Sequence, residues 1–153
     1  MTYDDASWHA EGDFPDDLPP EAGATHMAMF VAWCMLNGLA GSLHKGDWQA
    51  ELEQLESRRM TPGSWFLMTC DGKFTEKELS EDGNTFAVAY YGNDQGPLTD
   101  PETFLHDYVT IFDEFEEIYR VPDSWASYDR LAPVIARRFA QWRAKSGKRL
   151  GNF

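Results

Sequence analysis

Apolar residues recur at spacings of three and four along most of this chain, a pattern typical of helices that bury one face. The first such run follows Thr25, and the last follows Val121-Pro122. The first run contains Met27, Phe30, Val31, Cys34 and Met35, and the last contains Trp125, Tyr128, Leu131, Ile135, Phe139 and Trp142. The sequence therefore predicts a mostly α, compact multi-helix domain.

Two segments depart from this pattern. Residues 1–23 mix prolines with aromatic and acidic residues, so we expect an irregular N-terminal segment. Residues 85–91 are rich in β-branched and aromatic residues, which allows one short strand or hairpin. We favour a helix there, because no partner strand is evident. Asp123 is expected to cap the last helix, and Pro133 to kink or split it.

At 153 residues, the chain has the size of one domain. We expect an acidic segment at 1–23, a helical body at 24–146 and a flexible basic tail at 147–153. The most apolar stretch, Met27 to Leu36, is about half of the roughly 20 residues that cross a bilayer. The acidic start of the chain lacks the basic and apolar regions of a secretory signal, so we expect a cytoplasmic protein with reduced Cys34 and Cys70.

The net charge is strongly negative. Lys and Arg number 13 against 26 Asp and Glu, for a formal charge of −13. This balance disfavours nucleic acid and anionic membranes as partners and favours a basic protein. The densest run of acids is Asp113, Glu114, Glu116 and Glu117, which we predict to bind such a partner. Trp8 and Trp48 lie in the least regular regions and are the aromatic candidates for the same role.

A second candidate site is the polar cluster of the N-terminal third. His9, Asp13 and His26 are of the residue types that bind zinc or iron, and Glu11 could serve as acid or base. No tight spacing such as H-E-x-x-H joins them, so the same side chains could instead make structural hydrogen bonds. We therefore expect no cofactor, with a divalent metal ion as the alternative.

Other signals of catalysis are weak. The chain has neither a G-x-S-x-G motif nor a glycine-rich phosphate loop. His44 and His106 are isolated in the sequence, and we expect them on helix or loop surfaces.

Three segments carry a resemblance, namely YDDASWHAEGDFPDD, GATHMAMFVAWC and VPDSWASYDRLAPVIARRFAQW. Together they resemble a family of small, acidic bacterial proteins without an assigned role, some of them similar to immunity proteins that neutralise toxins. The resemblance implies no catalytic residue. With the charge, it favours an immunity-type inhibitor of a basic toxin, and the rival hypothesis is a small metal-dependent enzyme that uses His9, Asp13 and His26.

Overall fold

The computed structural model describes residues 1–92 and 102–149. Within these ranges the protein is mostly α, as predicted. The helices are α1 (Ala6–Ala10), α2 (Thr25–Leu36), α3 (Ser42–Lys45), α4 (Gln49–Glu56), α5 (Pro62–Cys70), α6 (Glu81–Tyr90), α7 (Phe104–Ile111) and α8 (Trp125–Arg149). The strands are β1 (Thr2–Asp5) and β2 (Lys73–Thr75), and 3-10 turns span Pro20–Ala24, Glu76–Glu78 and Ile118–Arg120.

Helix α2 forms the centre of the core. Every residue from Thr25 to Met35 is buried, as expected for a helix that is apolar on all sides. It packs against α5 on one side and α8 on another. Among the described residues, no helix combines the length and apolarity needed to cross a bilayer.

The N-terminal segment is more regular than predicted. β1 pairs antiparallel with β2, and α1 follows it directly. The register shifts between Thr2 and Asp4, which is a β-bulge, and both Tyr3 and Asp4 are buried. A bulge interrupts the alternation of side chains between the two faces of a strand. It therefore turns a carboxylate towards the core, although the sequence pattern places Asp4 in an acidic surface segment.

The segment predicted as either helix or strand belongs to α6, which confirms the helix. α8 is one continuous helix through Pro133, so the helix is not split there, and the alternative of a kink stays a prediction. Pro133 is exposed, and the helix carbonyl that its ring leaves unbonded can be hydrated there. α8 also continues to Arg149, into the predicted tail, and residues 150–153 lie outside the described part of the chain.

Asp123 caps a different helix from the one predicted. Its carboxylate accepts hydrogen bonds from the Thr61 hydroxyl at 2.6 Å and from the Gly63 backbone N–H at 2.7 Å, at the start of α5. Ser124 takes the predicted role at α8, where its Oγ accepts from the Ser127 N–H at 3.1 Å. Asp123 therefore fastens the segment before α8 to α5.

Candidate metal centre

The carboxylate of Asp4 is the hub of a buried polar network. Its Oδ1 accepts hydrogen bonds from His9 Nε2 at 2.8 Å and from the Asp5 backbone N–H at 2.8 Å. Its Oδ2 accepts from His26 Nε2 at 3.1 Å and from the Tyr91 hydroxyl. The network therefore joins residues that lie up to 87 positions apart in the sequence.

Three short elements bring these side chains together. Asp4 comes from the bulged part of β1, His9 from the last turn of α1 and His26 from the first turn of α2. Asp5 caps α1 by accepting a hydrogen bond from the Ser7 N–H, which fixes the helix directly after the strand. The side chains of Asp4 and His26 are each 3% exposed, and that of His9 is 13% exposed. We call Asp4, His9 and His26 the Asp4 centre.

Asp4 is ionised at neutral pH. Burial alone raises the pKa of its carboxyl, but hydrogen bonds from His26 and His9 outweigh this effect and hold the pKa well below the usual range. Each imidazole therefore points an Nε2–H at the carboxylate. The other ring nitrogen of His9, Nδ1, lies 2.7 Å from the Tyr119 hydroxyl, which donates to it in this tautomer.

The Asp4 centre has the composition of a metal site. One potential ligand atom from each of the three side chains lies within 4.8 Å of the other two. Two imidazoles and one carboxylate form the ligand set of many zinc and non-haem iron sites. When a metal takes the two Nε2 positions, the ring proton of His9 moves to Nδ1. His9 then donates to Tyr119, the outer hydrogen bond that usually orients a ligating histidine.

The sequence placed His9 and His26 together, and the carboxylate that the structure brings beside them is Asp4, not the predicted Asp13. Asp13 is exposed and lies beyond the end of α1, and Asp4 takes its place beside His9 and His26. Glu11, proposed as an acid or base, is the exposed C-cap residue of α1. The partner hydroxyls of Tyr91 and Tyr119 were not foreseen, because nothing local in the sequence links them to residues 4–26.

The predicted acidic contact residues lie between α7 and α8, and two of them already have intramolecular partners. Glu114 receives two hydrogen bonds from Arg130, at 2.6 and 3.0 Å. The Oε1 atom of Glu117 lies 3.6 Å from the Nε atom of Arg120. The other two acids, Asp113 and Glu116, are exposed.

The two predicted aromatic contacts differ in exposure. Trp8 is 44% exposed and stands on α1 beside His9, whereas Trp48 is half-buried at the start of α4. Trp8 is therefore the better placed of the two to meet another molecule.

His44 is fully buried, which corrects the expectation of a surface histidine. It lies on α3 with its Nε2 3.8 Å from the Sγ of Cys70, and Glu78 is also close by. We call His44, Cys70 and Glu78 the Cys70 centre. No pattern in the sequence indicates this centre, because each of its three residues comes from a different element. His106, the other isolated histidine, is half-buried on α7.

No curated protein and no solved structure matches this chain. A family model does match, over residues 2–121, and this span contains every residue of the Asp4 and Cys70 centres. It ends before α8, so the last of the three segments that carried the sequence resemblance falls almost entirely outside it. The match covers most of the chain, and the protein belongs to the family described as domain of unknown function DUF7832.

Proposed function

We propose that the protein binds a divalent transition metal ion, Zn²⁺ or Fe²⁺, through Asp4, His9 and His26. The observation that carries this proposal is the convergence of one ionised carboxylate and two imidazole Nε2 atoms in a buried site. Such a ligand set suits these ions and disfavours Ca²⁺ and Mg²⁺, which take mainly oxygen ligands.

The surroundings of the three ligands support this proposal. Tyr91 donates to the Asp4 oxygen that faces His26, and Tyr119 bonds the outer nitrogen of His9. Such outer hydrogen bonds fix the orientation of metal ligands and tune their basicity. Asp4 is already a carboxylate at neutral pH, so metal binding does not have to remove a proton from it.

The open coordination positions of the metal would face the side of His9. His9 is the most exposed of the three ligands, and Tyr119 beside it is half-buried and packs against Phe14, with ring centroids 4.8 Å apart. The metal would lower the pKa of a water bound there, and the hydroxide left after proton loss to solvent could attack an ester or amide, which is the hydrolytic chemistry of zinc sites with three protein ligands. Metal-dependent hydrolysis is therefore the reaction class that this site supports best.

Calorimetric titration of the metal-free protein with Zn²⁺, and with Fe²⁺ under anaerobic conditions, tests the proposal. We expect His9→Ala to lose one equivalent of bound metal relative to the natural chain. Asp13→Ala is the matched control, because Asp13 was the carboxylate expected from the sequence and is exposed. Circular dichroism would establish that both variants are folded.

Unchanged metal stoichiometry and affinity in folded His9→Ala would overturn the proposal. His26→Gln offers a second test in which a side chain of similar length keeps the core filled. If a folded variant at either position binds as much metal as the natural chain, the metal binds at another site.

A second candidate function rests on the exposed acids between α7 and α8. We propose Asp113 and Glu116, together with Trp8, as contacts for a basic protein such as a toxin, in line with the net charge of −13. Glu114 and Glu117 take a smaller part, because binding a partner would compete with their own arginines. No metal is needed for this function.

Capture of basic proteins from a lysate of the native source at low salt tests this candidate, with Asp113→Lys/Glu116→Lys as the variant. We expect one stoichiometric partner whose association slows strongly in the variant and at high salt. Equal association rates for the natural chain and the charge-reversed chain would remove these two acids from the interface.

A further inference from the structure

The Cys70 centre is buried between three elements that are distant in sequence. His44 lies on α3, Cys70 is the last residue of α5, and Glu78 ends the 3-10 turn after β2. All three side chains are buried, and one potential ligand atom from each lies within 4.8 Å of the other two. The Asp4 centre and the Cys70 centre share no residue, so the Cys70 centre is a separate candidate site.

An unpartnered polar atom marks this centre. His44 is 0% exposed, and its Nδ1 has no hydrogen-bond partner among residues 1–92 and 102–149. Buried polar atoms are nearly always paired, so an unpaired imidazole nitrogen beside a thiol and a carboxyl points to a missing partner. A cation on Nδ1 would supply this partner directly, whereas a cation on Nε2 would leave Nδ1 as an unpaired N–H.

The distances suit a tetrahedral metal ion with sulfur and nitrogen ligands. Zn–S bonds of about 2.3 Å and Zn–N bonds of about 2.0 Å place the two ligand atoms roughly 3.5 Å apart. Cys70 Sγ and His44 Nε2 are 3.8 Å apart, so a shift of a few tenths of an ångström is enough.

The carboxylate of Glu78 is already oriented. Its Oε2 accepts hydrogen bonds from the Thr75 backbone N–H at 2.6 Å and the Thr75 hydroxyl at 2.7 Å, which form part of a capping box. These bonds hold one oxygen in place and direct the rest of the carboxylate, as outer hydrogen bonds do in metal sites.

The protonation of the metal-free centre is consistent with a cation site. Burial lowers the pKa of His44 to about 4, raises that of the Cys70 thiol above its usual range and raises that of Glu78. Each group is thus driven towards its neutral form. A bound metal reverses this for the thiol and the carboxyl, because its charge stabilises both anions.

We propose that His44, Cys70 and Glu78 bind a structural Zn²⁺, with a water molecule completing four ligands. Binding forms the Zn–S bond as the Cys70 S–H bond breaks, and the proton passes to solvent. A thiolate selects zinc over magnesium and calcium. The ion would join α3, the end of α5 and the turn after β2, which no disulfide does, since both cysteines are free.

Cobalt substitution separates this site from the Asp4 centre. Co²⁺ bound by a thiolate gives an intense near-ultraviolet charge-transfer band, and the Asp4 centre contains no thiol. We expect the natural chain loaded with Co²⁺ to show this band and Cys70→Ser to lose it together with one equivalent of metal. Cys34→Ser is the matched control, because Cys34 is also buried and lies outside both centres, and it should keep the band.

His9→Ala should keep the band, because it changes only the Asp4 centre. Failure of one proposal is therefore distinguishable from failure of the other. X-ray absorption of the natural chain loaded with Zn²⁺ covers the case in which Cys70→Ser does not fold, and one sulfur ligand at about 2.3 Å is the expected result. Bound metal with neither a thiolate band nor a sulfur ligand would overturn the proposal.

Discussion

The Asp4 centre and the Cys70 centre contain similar numbers of polar side chains in opposite electrostatic states. At the Asp4 centre an anion is buried and satisfied, because its oxygens accept four hydrogen bonds. At the Cys70 centre burial favours the neutral forms of His44 and Cys70. The first centre can persist without a metal, whereas the second contains no buried charge that a hydrogen-bond network already stabilises.

This difference shows that metal-binding residue types can lie close together in two different states, as a charged hydrogen-bond network or as a neutral cluster. A charged network of hydrogen bonds stabilises the metal-free fold and competes with a metal for the same atoms. A neutral, incompletely bonded cluster does not compete in this way, but it must release a proton to bind. Metal should therefore stabilise the fold more through the Cys70 centre than through the Asp4 centre at equal occupancy.

Asp4→Ala should have the largest effect on stability. It removes the shared acceptor of His9, His26 and Tyr91, and a donor left without its acceptor in a buried site costs about 1 to 3 kcal/mol. Guanidinium unfolding of metal-free protein at pH 7 measures the loss, and Asp13→Ala, at an exposed position, should change the free energy of unfolding by less than about 0.5 kcal/mol. A loss below about 1 kcal/mol for Asp4→Ala would mean that the network does not stabilise the metal-free fold.

His44 should make the metal-free protein less stable in mild acid. The unfolded chain protonates His44 below about pH 6.5, while the folded chain keeps it neutral down to about pH 4. The contribution of His44 to stability therefore falls as pH drops through this window, by roughly 2 kcal/mol between pH 7 and 5. The raised pKa of Glu78 acts in the opposite direction, because the folded chain holds the carboxyl proton more tightly than the unfolded chain does. Over the same interval Asp4 stays ionised in both states, since its pKa in the folded chain is lowered.

His44→Gln isolates the contribution of His44 to the pH dependence of stability, because glutamine does not titrate. The difference in unfolding free energy between pH 7 and 5 should shrink by about 2 kcal/mol in the variant, measured with a chelator present. Equal pH dependence in the two proteins would show that His44 can take up a proton in the folded state.

Tyr119→Phe should have the smallest effect. It removes the hydroxyl that bonds His9 Nδ1 at 2.7 Å, and we expect a loss of about 1 kcal/mol in thermal or chemical unfolding. The variant gives His9 an unpartnered ring nitrogen, as His44 already has. A negligible loss would show that an unpartnered ring nitrogen is tolerated at a partly exposed site. Only the full burial of His44 would then make its unpartnered Nδ1 significant.

The sequence predicted the parts of the fold that depend on local patterns. The buried α2 follows from the spacing of its apolar residues. The helix at 85–91 was favoured because no partner strand is evident. The strand β1 was missed, because its partner β2 is three residues long and lies some 70 residues away. Pairing at that distance leaves no periodic signal in either segment.

The same limit applies to the sites. His9 and His26 were predicted to lie together, and they do. The choice of Asp13 over Asp4 failed because two consecutive aspartates in T-Y-D-D carry no alternation, and only the bulge turns Asp4 inward. His44 was placed at the surface because a four-residue helix has too few positions to reveal which face is buried.

Contacts between main-chain atoms set the distance between α3 and the turn that carries Glu78. The Gly41 N–H bonds the Glu78 carbonyl at 2.9 Å, and a Cβ at position 41 would lie 2.9 Å from the carbonyl oxygens of Lys77 and Leu79. Any side chain there would force α3 away from the turn that carries Glu78. A substitution at position 41 should therefore change the distance between His44 and Glu78, although Gly41 has no side chain that contacts either residue.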